Sequence, residues 1–198
     1  ESTKKGGSPV SDRGPSGSLS RRGFFGLGAG ALGAAFLPIS AGGTANPHDR
    51  AVRLGVASYS LRKLSRPQAI AALREIGSPW VNIKSFHLTY ESSREELAEG
   101  RREFESAGFE IVGGGTITLD KEDDADVRRS FDYARNSGFP LMVIAPTPGN
   151  LERIERFVKE YDIKVAIHNH GPEDRHFPGP RQALKLIEGM DPRVGVCI

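Results

Sequence analysis

A single cysteine, Cys197, stands in 198 residues, which excludes an internal disulfide framework and a zinc site built on cysteines. Aromatic residues are sparse at 8%, with one tryptophan. A usable surplus of positive charge is also missing. The net charge is +2, but residues 1–45 hold Lys4, Lys5, Arg13, Arg21 and Arg22 against Glu1 and Asp12, so the remaining 153 residues carry 22 basic and 23 acidic side chains. Nucleic-acid binding needs a basic surface, and a segment at −1 has none to offer, so no nucleic-acid partner is expected. What is present, 37% hydrophobic and 26% charged residues, is the composition of a globular protein rather than a disordered or fibrous one. Eleven of the 24 glycines fall within residues 1–45, and this shift in composition sets a boundary between residues 1–45 and residues 46–198.

Residues 1–18 are rich in Gly, Ser and Pro and lack a pattern. After them, Ser20-Arg21-Arg22-Gly23-Phe24-Phe25 leads into an apolar, Gly- and Ala-rich run from Leu27 to Leu37. Eleven residues are too few to span a bilayer as a helix and suit the apolar region of a signal peptide. The segment resembles a twin-arginine signal peptide, with Gly43 and Ala45 as the small residues before a cleavage after Ala45. That resemblance implies export to the periplasm and no membrane anchor after cleavage. Gly28-Ala29-Gly30-Ala31-Leu32-Gly33 also matches the dinucleotide fingerprint by letter. It follows two arginines and leads into Pro38, where the fingerprint needs a strand before it and a helix after it, so no dinucleotide is expected.

From Ala51 onward, β-branched runs alternate with amphipathic stretches. Strands are expected at 52–57, 80–84, 109–114, 141–145, 163–168 and 194–198, spaced by one helix and two loops each. Ser65 with Gln68, and Ser92 with Glu95, read as capping boxes, and Gly77, Gly108 and Gly138 as helix stops. A third helix is expected from about Asp124 to Asn136; Asn150 reads as the cap of the fourth, and Pro180 stands in the first turn of the fifth. Such alternation means α/β architecture with parallel strands, either a doubly wound sheet or a (β/α)8 barrel. A full barrel needs about 200 residues or more, so the 153 residues here read as an incomplete N-terminal portion of five to six βα units.

Parallel α/β folds bind ligands at the C-terminal ends of their strands. In the fifth expected strand, alternation sets Val165 and Ile167 on one face and Ala166, His168 and His170 on the other. Two imidazoles one rung apart can share a metal or a substrate oxygen. In the second, Asn82 and Lys84 point inward. An inward lysine is costly unless a partner or a task offsets its desolvation, so Lys84 is either a salt-bridge or snorkelling residue, or a site for a substrate carboxylate, phosphate or enediolate, or a base of depressed pKa. His87 lies just beyond that strand, and Tyr59 lies among the hydroxyls of Ser58-Tyr59-Ser60 after the first. Gly113-Gly114-Gly115 reads as a tight bend or a point of close ligand approach after the third strand, and Glu173 and Asp174 as a solvated loop.

Four segments, Leu54-Gly55-Val56-Ala57-Ser58-Tyr59-Ser60, Val81-Asn82-Ile83-Lys84-Ser85-Phe86-His87, Ala166-Ile167-His168-Asn169-His170-Gly171-Pro172 and Val194-Gly195-Val196-Cys197-Ile198, together resemble the sugar phosphate isomerase/epimerase family of xylose-isomerase-like TIM barrels. The resemblance implies a metal-assisted isomerase or epimerase of a small sugar or keto-sugar, working through an enediolate. It implies His168 as a metal ligand, Lys84 and His170 as catalytic groups, and Tyr59, His87 and Asn169 as substrate-binding residues. His168 occupies a position where the family commonly has Glu. A neutral ligand shifts preference from Mg towards Zn, Mn, Fe or Co. A keto-glycoside lyase or hydratase of the same fold, or a non-catalytic exported carbohydrate-binding barrel, is the alternative. The partner expected is the sugar itself, and association into a homo-oligomer is compatible with it.

Overall fold

The computed structural model describes residues 52–198, so the leader, the fingerprint match and the expected cleavage point lie outside the described residues. Six strands alternate with helices along the chain: β1 (Gly55–Ala57), α1 (Arg66–Ile76), β2 (Trp80–Ile83), α2 (Arg94–Ser106), β3 (Glu110–Leu119), α3 (Asp124–Ser137), β4 (Leu141–Pro146), α4 (Leu151–Tyr161), β5 (Lys164–His168), α5 (Pro180–Leu186) and β6 (Val194–Cys197). Each strand pairs in parallel with the next, in the order β1-β2-β3-β4-β5-β6. The order never reverses, whereas a doubly wound sheet reverses at its switch point. The expectation of an α/β protein with a parallel sheet therefore holds.

Alternation along the strands sorts their two faces. Val81 and Ile83 of β2, Met142 and Ile144 of β4, and Val165 and Ile167 of β5 are buried on the helix-covered face. Phe104, Phe131 and Phe157 of α2, α3 and α4 fill the layer above them. Burying one such phenylalanine stabilises by about 1.5–3 kcal/mol relative to leaving it exposed. The other face of the sheet mixes polar and small residues such as Asn82, Lys84, Thr116 and His168 with valines such as Val112 and Val143.

The local signals placed most helix ends correctly. Ser65 and Gln68 form the capping box of α1, with the Ser65 N–H donating to Gln68 Oε1 at 2.9 Å, and Gly77 ends the helix at φ 75°. Gly138, at φ 70°, ends α3, where only glycine avoids the left-handed penalty cheaply.

Four expectations are corrected. The capping box of α2 is Ser93 with Glu96, because Ser92 instead shares a hydrogen bond of 2.9 Å with Thr89. Asn150 does not cap α4 with its side chain; its amide donates to the carbonyls of Leu119 and Lys121, tying the start of α4 to the end of β3. Strand β1 begins at Gly55 rather than at 52, and Val52 and Leu54 remain exposed. The largest difference is β3, which runs through the glycines to Leu119. Those glycines are a packing requirement: a Cβ on Gly114 would lie 2.1 Å from the Phe139 ring, and one on Gly113 would lie 2.6 Å from the Leu141 carbonyl oxygen. Register shifts against β2 and β4 accompany them, as bulges do.

Candidate functional site

The uncovered face of the sheet is concave. Gly55 and Ala57 of β1, at one edge, line the same cavity of about 550 Å³ as Cys197 of β6, at the other, which requires the sheet to curl. Into it project Asn82 and Lys84 from the end of β2, Thr116 from β3, Val143 from β4 and His168 from β5. A second concavity of about 360 Å³ lies over the C-terminal ends of β3, β4 and β5 and is lined by Thr118, Thr147, His168, His170 and Asp174 among others. His168 belongs to both, so the expected inward orientation of its side chain is what joins the lumen to the rim.

Lys84 is the group whose environment decides most. Its Nζ donates to Thr116 Oγ1 at 3.4 Å, and among the described residues it makes no salt bridge with a carboxylate. Burial pushes its pKa below the ordinary lysine value, with Cys197 acting weakly the other way. The salt-bridge alternative raised by the sequence is therefore not realised among these residues. His168 is likewise pushed down, first by burial and then by His170 and Lys84. It is thus within electrostatic reach of both.

His170 stands past the end of β5, with half of its side chain exposed, rather than on the strand itself. Its ring is still 4.7 Å from that of His168, edge to face. Its Nδ1 lies 2.9 Å from Asp174 Oδ2. Burial raises the Asp174 pKa, but the N–H groups of Phe177 and His176 and the His170 ring outweigh it and hold the carboxyl well below the usual carboxylate range. An ionised carboxylate only accepts, so Nδ1–H donates to it, and in the neutral tautomer the lone pair is the one on Nε2. Asp174 is therefore an anchor and not the solvated loop residue the sequence suggested.

The other expected residues fall elsewhere. His87 is 3% exposed and lines neither cavity; Nε2 is 3.2 Å from the Leu64 carbonyl oxygen and Nδ1 is 3.0 Å from Ser58 Oγ. It buttresses the β1 and β2 ends and does not reach the mouth. Asn169 is half-buried and lines neither cavity. Tyr59 stands half-exposed in a short 3-10 turn after β1, with its ring 5.9 Å from that of Phe86 and under the Arg62 guanidinium at 4.4 Å. The Tyr59–Phe86 pair stands apart from both cavities.

No protein-family model matches the chain, and no curated protein matches it. The chain is similar to a crystal structure of an uncharacterised protein from Parabacteroides distasonis, with a TM-score of 0.63 and 23% sequence identity. The match covers 73% of this chain and 62% of that one, so the chain spans less than two thirds of that protein's length. At this identity the likeness is one of fold. It supports the alternating α/β layout with a parallel sheet.

A metal centre needs at least three donors. Among the described residues, no group of three or more His, Cys, Asp and Glu side chains converges to hold an ion. His168 and His170 bring two imidazoles together, and these by themselves do not make a metal site. No helix among the described residues is long and apolar enough to cross a membrane. The sequence reading missed Thr116, Thr118 and Asp174 as site residues. For the two threonines the signal was there, a Thr-Ile-Thr alternation, but the glycine run before it was taken as the end of the strand.

Proposed function

We propose that this is an exported isomerase or epimerase of a small sugar or keto-sugar, built on a (β/α)8 barrel of which these six units form the first part. The barrel is supported by the unreversed strand order and by the shared cavity between the two edge strands. The observation that carries the catalytic reading is Lys84: an ammonium without a carboxylate partner among the described residues, pushed towards its neutral form, lining the same cavity as His168.

A hydroxyl and a carbonyl on adjacent substrate carbons would bind with their oxygens towards Lys84 and His168. His170, oriented by Asp174, presents Nε2 to take the proton from the carbon next to the carbonyl. The electron pair moves onto the carbonyl oxygen, giving an enediolate. Lys84 donates to that oxygen, and a charge-assisted hydrogen bond counts for most as charge develops. For the isomer, the hydroxyl proton passes from the second oxygen to the first and the abstracted proton is returned to the former carbonyl carbon; for the epimer, the original carbon is reprotonated on its other face. His168, kept neutral by burial, holds the second oxygen. A divalent ion, if bound, would polarise the same oxygens with His168 as one donor, but two imidazoles do not complete its shell, and no step depends on it.

Incubation of the protein with a panel of aldoses and ketoses in D2O, followed by NMR, should reveal deuterium at the carbon next to the carbonyl. The Lys84→Met substitution keeps most of the apolar stem and should lower kcat by about 10²-fold with the melting temperature unchanged. Retained exchange together with a lower melting temperature would make Lys84 a structural residue and remove the proposed role.

A further inference from the structure

The site does not end at the lumen and the rim. A third concavity of about 370 Å³ opens between the ends of β2 and β3 and the first turns of α3. It shares Thr116 with the lumen and Thr118 with the rim, so the three adjoin at β3 over the C-terminal ends of the strands. At about 550, 370 and 360 Å³ they fall in the lower half of the roughly 300–1,000 Å³ of a ligand pocket, and adjoining compartments suit a ligand of more than one unit.

Its lining specifies the chemistry of that unit. Six of its lining residues, Ser85, Tyr90, Thr116, Thr118, Ser130 and Tyr133, carry hydroxyls. Hydroxyls both donate and accept, as the hydroxyls of a sugar do. Two of these hydroxyls are fixed by the fold, Tyr133 donating to the Leu88 carbonyl at 2.6 Å and Ser130 to the Asp126 carbonyl at 3.2 Å. The Tyr90 and Tyr133 rings, 4.7 Å apart, add an aromatic wall for the apolar face of a pyranose. The charged pair at this compartment neutralises itself: Arg129 Nη2 is 2.6 Å from Asp126 Oδ1. No net positive charge is left over for a phosphate.

We infer that the site takes a neutral glycoside, with the reacting sugar in the lumen at Lys84 and His168 and a second, unreacting sugar unit in the hydroxyl-lined compartment over α3. This rests on the sugar-isomerase reading of the lumen. The second unit needs no chemistry there; it adds binding energy that a single sugar lacks.

Titration calorimetry with the full protein compares glucose and galactose with maltose, cellobiose, lactose and trehalose, and with glucose 6-phosphate. At least one disaccharide should bind about 10-fold or more tightly than its parent monosaccharide, the equivalent of one or two good hydrogen bonds, while the phosphate adds nothing. Tyr90→Ala should reduce the disaccharide-to-monosaccharide affinity ratio by about 10-fold. Thr118→Val, which keeps shape and removes a hydroxyl, should reduce it in the same direction, so a folding defect in the first variant leaves a second test. Equal affinities for one-unit and two-unit sugars, no binding by any disaccharide, preference for the phosphate, or a ratio untouched by either substitution would overturn the inference. Deuterium exchange into a monosaccharide under those outcomes would leave the enzyme reading standing, whereas disaccharide binding without exchange into any sugar would sink that reading and keep the second compartment.

Discussion

His87 is held between partners that dictate its protonation state. The Leu64 carbonyl only accepts, so Nε2–H donates to it, and Nδ1 is left to accept from Ser58. Ser58 Oγ in turn accepts from the Lys84 N–H at 2.9 Å. A charged imidazolium would put a second donor against Ser58 and break this relay. Burial first, and the Arg66 charge in addition, push the His87 pKa below its ordinary 6.5, although the carbonyls of Leu64 and Leu61 work against this. The unfolded chain therefore binds more protons than the folded one just below pH 6.5. The associated stability is fully present above that pH and is lost as the pH falls through the lower, folded value. Urea midpoints at pH 7.5 and 5.5 should differ less for His87→Gln than for the parent protein. Identical pH dependence in the two would show that His87 titrates freely and that the relay is not its constraint. His168, shifted in the same direction, contributes a loss of the same sign.

At the scale of elements, the start of α2 shows how much one residue of offset matters. Ser93 Oγ accepts from the Glu96 N–H at 3.2 Å, and Glu96 Oε2 accepts from the Ser93 N–H at 2.7 Å, so two amides that the helix cannot satisfy internally are paired. Ser92 lies one residue earlier and bonds to a loop hydroxyl instead. Ser93→Ala should lower the unfolding free energy by about 1 kcal/mol, and Ser92→Ala by less than about 0.5 kcal/mol. Urea denaturation of both variants checks this, and the reverse ranking would move the cap back to Ser92. Strand β3 teaches a related lesson. Its glycines look like a stop because glycine is a poor strand former, but Phe139 and the β4 backbone approach so closely that a larger residue has no room.

Six parallel strands in unbroken sequence order bring chemistry from distant parts of the chain to one concave surface. Lys84 and His168 are 84 positions apart in sequence and line one cavity, and Thr116 lies between them in the sheet order. A folded cavity of this kind has to be made before export if the twin-arginine reading of the leader is right, since that route carries folded proteins. Replacing Arg21 and Arg22 by lysine in the whole protein should stop its appearance in the periplasmic fraction while leaving the cytoplasmic pool folded. Undiminished export would dismiss the twin-arginine assignment without touching the reading of the sheet.

Hydrophobic alternation and helix punctuation are local, and they determined the class of fold, the count of the six strands, and the inward placement of Lys84 and His168; the unreversed order of the strands in the sheet came from the tertiary structure. Short-range spacing also brought His168 and His170 together. The tertiary structure decided what depends on neighbours remote in sequence. It decided that His87 turns away to Ser58 and Leu64, that Asp174 anchors His170, that Asn150 ties back to β3, and that the threonines after Gly115 join the cavities. Those outcomes follow from which backbone carbonyls, rings and strand ends are packed alongside, and a sequence pattern carries a face and a period but not the partner across the gap.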